Sequence, residues 1–357
     1  MIKRVAVTAG VLLALGAAAA IAIAVWPDRT VKSRTTSTSE DQHASLSGQH
    51  RPPSAPGAKV IGPTDIGTAP LPHYARFALR PVTGPLPVRY RFKHPPLAGI
   101  LFDLKSGEVL WQRNPGLEHQ IASLTKMMTA LMVARSDPPM AHVKISRNAA
   151  NTQGSATGLL PRGRKVPLEA LLQALIMISA NDAAVALAEH DGRTVPHFVK
   201  QMNRQARAMG LSCTHFSTPN GLRDRRNYSC PRDLATLARA DLANPRIARI
   251  AQTRYAKPRF PIRGKHLYLT NNHYFLQHGL TGLPGAQVTG LKTGFTDAAG
   301  RCYVTTARVG RHHLGVVLMH SPNPITQVPA LFRAGFEEVG AVHAAPSAPA
   351  ASPPPTG

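Results

Sequence analysis

The segment Ile121-Ala122-Ser123-Leu124-Thr125-Lys126-Met127-Met128-Thr129-Ala130-Leu131-Met132-Val133-Ala134 is rich in Met, Leu and Ala and lacks Gly and Pro. It predicts a helix, closed by Asp137-Pro138-Pro139. Just upstream, residues 97–103 and 109–113 are short apolar runs around Lys105-Ser106-Gly107-Glu108, the pattern of a β-hairpin. Downstream, helices are predicted over 168–178, 182–190, 195–209 (with Gly210 as a left-handed cap) and 232–242, the last stopped by Asn244-Pro245. Strand signals return at 266–269, 287–292, 302–307 and 313–319, and a final helix is expected near 328–335. Strands at both ends with helices between them predict an α+β fold: one antiparallel β-sheet, assembled from distant segments and flanked by helices.

The flanks read differently. Residues 5–26 are uncharged and mostly apolar, preceded by Lys3 and Arg4. A cleaved signal peptide carries an apolar run of about 7 to 15 residues, whereas a spanning helix needs about 20. Length therefore favours a signal-anchor over 1–26, while Ala18-Ala19-Ala20 and Ala22-Ile23-Ala24 leave a cleaved signal peptide open. Residues 27–96 turn to Ser, Thr, Pro, Gly and His without periodicity and read as a disordered linker; the Ala/Pro-rich tail 341–357 reads as disordered too. One folded unit remains, 97–340. With 43% hydrophobic residues the 357-residue chain supports a sizeable core, which excludes wholesale disorder. The net charge of +24 suits an anionic polymer, a membrane surface or nucleic acid. Aromatics at 5% are thin for stacking on single-stranded bases, and export removes nucleic acid as a partner. Three cysteines make neither a disulfide scaffold nor a zinc site, so no metal is expected.

Three short patterns carry chemistry. In Ser123-Leu124-Thr125-Lys126, a spacing of three puts the hydroxyl and the amine on one helical face. A serine is a poor nucleophile until a base takes its proton, and a lysine kept neutral can do so. Ser179-Ala180-Asn181 lies between two predicted helices, where capping is the plain structural alternative. Lys292-Thr293-Gly294-Phe295 ends an apolar run: Lys292 and Thr293 can hold a carboxylate, and Gly294 lets a ligand approach the backbone. Each pattern has decoys. Lys105-Ser106-Gly107 falls in the hairpin turn, and Ser-x-Asn recurs at Ser146-Arg147-Asn148 and Ser321-Pro322-Asn323.

The ordered set is more specific than any member, because S-x-x-K, S-D-N and K-T-G occur together in class A β-lactamases and penicillin-binding proteins. With Ile121–Thr129, Met177–Ala184, Thr214–Leu222 and Gly290–Gly300 around it, the chain resembles serine-type D-Ala-D-Ala carboxypeptidases, the low-molecular-mass penicillin-binding proteins of bacteria. Ser-Ala-Asn at 179–181 departs from S-D-N. The resemblance implies that Ser123 attacks the penultimate D-Ala carbonyl of a peptidoglycan stem peptide, with Lys126 as its base. Ser179 and Asn181 would shuttle the proton and orient the substrate amide. Lys292 and Thr293 would hold the terminal carboxylate, and the N–H groups of Ser123 and Phe295 would form an oxyanion hole beside Gly294. It implies no cofactor, peptidoglycan stem peptides as substrate, β-lactams as covalent inhibitors, and a place in the bacterial envelope; membrane contact through the N-terminal segment is read from the run 5–26 itself and departs from relatives anchored at their C-terminus.

Alternatives differ in what they need. A class A β-lactamase uses a glutamate downstream of the middle motif, and no Glu occurs between Glu189 and Glu337. A DD-endopeptidase would use the same constellation, and a non-enzymatic polymer-binding module would rest on charge alone. Cys213 and Cys230 flank the loop with Pro219-Asn220-Gly221, so an exported chain can bridge them; three unpaired thiols is the alternative.

Overall fold

The computed structural model describes residues 72–222 and 226–342. Five strands form the main sheet: β1 (Ala98–Asp103), β2 (Val109–Arg113), β3 (Gln287–Thr296), β4 (Gly300–Val309) and β5 (His312–Met319). They are antiparallel in the order β2-β1-β5-β4-β3, so the N-terminal hairpin pairs with the last strand in sequence, Ala98 opposite Met319. The expected α+β architecture is the observed one.

The period-two alternation of these strands divides the apolar residues between two cores. Ile100, Phe102, Val304, Val317 and Met319 face a helical body. That body contains α1 (Lys126–Ser136), α2 (Leu168–Met177), α3 (Asn181–Gly192), α4 (Val195–Ala208), α5 (Pro231–Leu242) and α6 (Pro245–Ala251). Leu101, Leu314, Val316 and Leu318 face the other way, onto Leu331, Phe332 and Phe336 of α7 (Pro324–Glu338). Cys213 and Cys230 are joined by a disulfide with Cα atoms 5.9 Å apart, and Cys302 is a buried free thiol, pushed up to about 12 by burial.

Three expectations are corrected. The helix read over 121–134 is a 3-10 turn, Ala122–Thr125, followed by α1. Asn244-Pro245 follows the end of α5 as expected and also starts α6: Asn244 accepts from Arg246 N and Ile247 N, and Pro takes the first position, where the missing N–H costs nothing. The strand expected at 266–269 reduces to Leu269–Thr270, paired with Tyr255–Ala256.

The linker expected over 27–96 ends earlier, because residues 72–96 lie against the folded unit. Tyr74, Phe77 and Val88 are buried there. Trp111 Nε1 donates to the Tyr90 carbonyl (3.0 Å) and Arg113 Nε to that of Pro96 (2.9 Å). The buried Arg239 donates to the carbonyls of Phe77 and Ala78, and also to Leu104 and Lys105. An extended strap held by isolated anchors has no period, so composition alone makes it look like a tether. The apolar run 5–26 and the tail from 343 onward lie outside the described residues. Among those described, no helix is long and apolar enough to cross a membrane.

Candidate active site

β3 is an edge strand, and its free edge faces the 3-10 turn that carries Ser123. Gly294 is where the two meet. A Cβ there would lie 2.9 Å from the Ile121 carbonyl oxygen and 3.0 Å from Ser123 N, closer than real Cβ atoms come without displacing a neighbour. Glycine thus lets the strand edge pass directly by the serine backbone.

Lys126, at the start of α1, is 1% exposed, and its Nζ lies 2.9 Å from Ser123 Oγ. It also donates to the Asn220 carbonyl at 2.8 Å. Burial lowers its pKa well below the ordinary lysine value; the nearby Lys292 lowers it further and Asp182 opposes the shift. Both lowering effects favour the neutral amine beside the hydroxyl, the form a base needs. Its carbonyl partner sits in the loop 218–221, packed under the turn. Gly221 has φ +76°, and a Cβ on it would lie 1.9 Å from the Ala122 carbonyl oxygen. We expect Gly221→Ala to destabilise the domain by about 2 kcal/mol or more in thermal or denaturant unfolding, through backbone strain and overpacking together.

Ser179 joins α2 to α3 with φ +60°, a left-handed conformation that a non-glycine residue adopts at a cost of about 1–3 kcal/mol. It is 5% exposed, and its hydroxyl has no partner among the described residues. The helix cap is Ala180, which makes no side-chain cap bond, so capping does not explain Ser179. The decoys do have such explanations. Ser146 caps a short helix by accepting from Ala149 N at 2.9 Å. Ser321 Oγ donates to Gln327 Oε1, and Ser106 accepts from Glu108 N within the hairpin turn. Asn181 Nδ2 donates to the Gln153 carbonyl at 3.1 Å, and Asn181 N to that of Ser155 at 2.6 Å.

Lys292, on β3, is 3% exposed, donates to the Thr293 carbonyl at 2.8 Å, and is pushed down to about 7 by burial. Phe295 follows Gly294 and is exposed. The arrangement sets a serine beside a buried amine of lowered pKa, with a second buried amine near it and a free strand edge against the serine backbone. Together these can perform nucleophilic acyl transfer on a substrate that carries a carboxylate.

Three contributors were not legible in the motifs. The Asn220 carbonyl orients Lys126. Asp182 accepts from Thr157 N, Thr157 Oγ1 and Gly158 N and so ties the loop 153–158 to the first turn of α3. His273 is buried with Nε2 3.3 Å from Thr305 Oγ1, and burial and then Lys292 depress it to about 4, so it is neutral. Asp182 adjoins the Ser-Ala-Asn motif and was open to notice; a backbone carbonyl leaves no signature in sequence.

Residues 94–323 match the model of a peptidase family described as D-alanyl-D-alanine carboxypeptidase. The chain is 30% identical over 240 residues to the D-alanyl-D-alanine carboxypeptidase DacF of Bacillus subtilis, covering 65% of this chain and 59% of the relative. It is 30% identical over 253 residues to a D-alanyl-D-alanine endopeptidase of Pseudomonas aeruginosa, covering 70% and 80%. A crystal structure of a D-alanyl-D-alanine carboxypeptidase from Mycobacterium tuberculosis superposes with a TM-score of 0.63 at 30% identity, covering 71% of this chain and 94% of the other. The chain spans 52% to 59% of the length of the DacF and DacA relatives it matches.

Proposed function

Because the chain belongs to the D-alanyl-D-alanine carboxypeptidase family, we propose that it removes the terminal D-Ala from peptidoglycan stem peptides through an acyl-enzyme on Ser123. The observation that carries this reading is the 2.9 Å approach of a buried, depressed Lys126 to Ser123 Oγ. Ser123 Oγ attacks the carbonyl of the penultimate D-Ala while Lys126 Nζ takes its proton. The tetrahedral oxyanion is met by the N–H groups of Ser123 and Phe295, each donor worth about 3 to 4 kcal/mol. Ser179 relays the proton to the leaving amine, and D-Ala departs. Water, activated by the neutral Lys126, then hydrolyses the ester and regenerates Ser123. Lys292 and Thr293 hold the terminal carboxylate, while Asn181 orients the substrate amide. A β-lactam enters by the same attack on its ring carbonyl and acylates Ser123. Residues 5–26 keep the protein at the membrane, with the folded unit outside it in the envelope; their length and lack of charge support this.

Incubation with a pentapeptide muropeptide and with a cross-linked dimer tests the reading. Release of D-Ala from the first is expected; cleavage of the dimer alone favours the endopeptidase reading, to which the Pseudomonas relative lends support.

The two amines also set the pH dependence. Only protonated Lys292 attracts a carboxylate, so kcat/KM is expected to fall as pH rises through about 7. The same limb should lie higher in kcat, because a bound carboxylate raises the Lys292 pKa. For folding the sign is opposite. Between about 7 and 10.5 the unfolded chain holds a proton on Lys292 that the folded one lacks, so stability rises with pH across that window. A pH–rate profile flat from about 6 to 9 would contradict the placement of Lys292 on the substrate carboxylate.

A further inference from the structure

At one end of the sheet a cleft of about 450 Å³ opens between the last residue pairs of β3 and β4 and the neighbouring strand ends. Its walls include Arg113, Phe295, Gly300, Arg301 and His320, and no Asp or Glu lines it. Arg301 Nη1 donates to the Pro322 carbonyl at 3.3 Å and Arg113 Nε to that of Pro96 at 2.9 Å. Each bond occupies one N–H of an exposed guanidinium and leaves the others available to a ligand. Neither pairs with a carboxylate among the described residues.

His320 is built into this wall with unusual care. It has φ +47°, in the left-handed region. A Cβ on Gly300 would lie 2.6 Å from His320 Nδ1, so glycine at 300 makes the room that the ring occupies. His119 meets the ring edge-on at 5.3 Å between centroids, and its own Nε2 lies 3.2 Å from the Ala299 carbonyl oxygen. The ring is exposed at the cleft wall, between the space left by Gly300 and the ring of His119, where it can meet a ligand.

The position of the cleft says which part of a substrate reaches it. Lys292 and Thr293 precede Gly294 on β3, and Gly294 lies against Ser123 N. A peptide laid along this free edge, with its terminal carboxylate at Lys292, has its acyl carbonyl beside Gly294 and its N-terminal half running past Phe295. A strand advances about 3.3 Å per residue, so the cleft mouth begins roughly one residue beyond the reacting carbonyl.

We propose that this cleft receives a second carboxylate, carried by the acyl half of the substrate peptide, on Arg113, Arg301 and His320 with Phe295 as its apolar wall. The inference rests on the carboxypeptidase reading and names a specificity that reading does not contain: the enzyme distinguishes acyl donors with a free carboxylate from those in which it is amidated.

Two peptides test this, both ending in Lys-D-Ala-D-Ala and both carrying an acetylated, γ-linked D-glutamyl residue, with its α-carboxylate free in one and amidated in the other. Using the full chain, kcat/KM for D-Ala release should favour the free carboxylate by about tenfold or more, as a charge-assisted hydrogen bond to arginine implies. Calorimetric affinity for the Ser123→Ala protein should show the same preference. Arg301→Gln and His320→Asn should each bring the ratio towards one; Asn tolerates the left-handed backbone, and Arg301 is exposed, so neither change threatens folding. Equal rates and equal affinities for the two peptides, or a ratio untouched by both variants, would overturn the cleft. Release of D-Ala from neither peptide, with the binding preference intact, would overturn the carboxypeptidase reading and leave the cleft standing.

Discussion

Ser123→Ala is expected to lower D-Ala release by at least about 10⁴-fold, and Lys126→Ala by a comparable factor. The reason is the shared geometry. In the proposed mechanism Lys126 Nζ, 2.9 Å from Ser123 Oγ, is the base, and burial together with the nearby Lys292 lowers the amine's pKa. Without the hydroxyl there is no acyl-enzyme. Without the amine, the hydroxyl keeps its proton. The two losses remove one unit, so the double variant should be scarcely worse than either single one. Removing Lys126 also frees the Asn220 carbonyl of its partner, so its thermal unfolding should be compared with wild type. Ser123→Ala leaves that contact intact and should unfold at nearly the wild-type temperature. Substantial turnover by folded Ser123→Ala would remove Ser123 from the mechanism.

A penicillin pulse should leave Ser123 acylated for far longer than the peptide intermediate survives. When a peptide acylates the serine, the leaving D-Ala diffuses away and water takes its place. When a β-lactam does so, the leaving amine stays tethered and occupies the path of the water. Rapid clearance then needs a carboxylate poised to drive water in, as class A β-lactamases have. Two carboxylates downstream of the middle motif, Asp233 and Asp241, lie on α5. Asp233 accepts instead from Cys213 N and Thr214 Oγ1, raised to about 6 by burial. Asp241 is fully buried on α5, and burial raises its pKa well above the usual range. Neither bonds to Ser123 or Lys126, and Asp224, a further carboxylate in this part of the chain, lies outside the described residues. Intact-protein mass spectrometry at successive times measures the adduct. Its loss within one peptide turnover would revive the β-lactamase reading.

The sequence made the framework legible because the sheet residues alternate and the helices are compositionally strong. The hairpin at 97–113 and the paired strands 300–309 and 312–319 could be read because one face of each meets each core. Ser123, Lys126, Ser179 and Lys292 could be singled out as candidates because chemistry restricts such roles to few residue types at short spacings. What escaped was non-periodic or carried by backbone. The strap 72–96 bonds through carbonyls, the Asn220 contact is a carbonyl, and the left-handed bend at Ser179 replaces the cap that an inter-helix serine ordinarily supplies. The turn 122–125 was read as the start of an α-helix because 3-10 and α-helical turns share residue preferences, and the strand edge that tightens it lies some 170 positions away.

The strap also limits where the polypeptide can be severed. Trimming at residue 97, the boundary that composition suggests, would remove the carbonyls of Phe77 and Ala78 and leave Arg239 a buried guanidinium stripped of two acceptors. The ring of Tyr74, which lies under the Arg135 guanidinium, would be lost as well. Such a fragment would present protease-sensitive, aggregation-prone surface where the intact chain has a sealed seam. A recombinant domain should therefore begin no later than residue 72, and a fragment beginning at 97 should be digested faster than one beginning at 72.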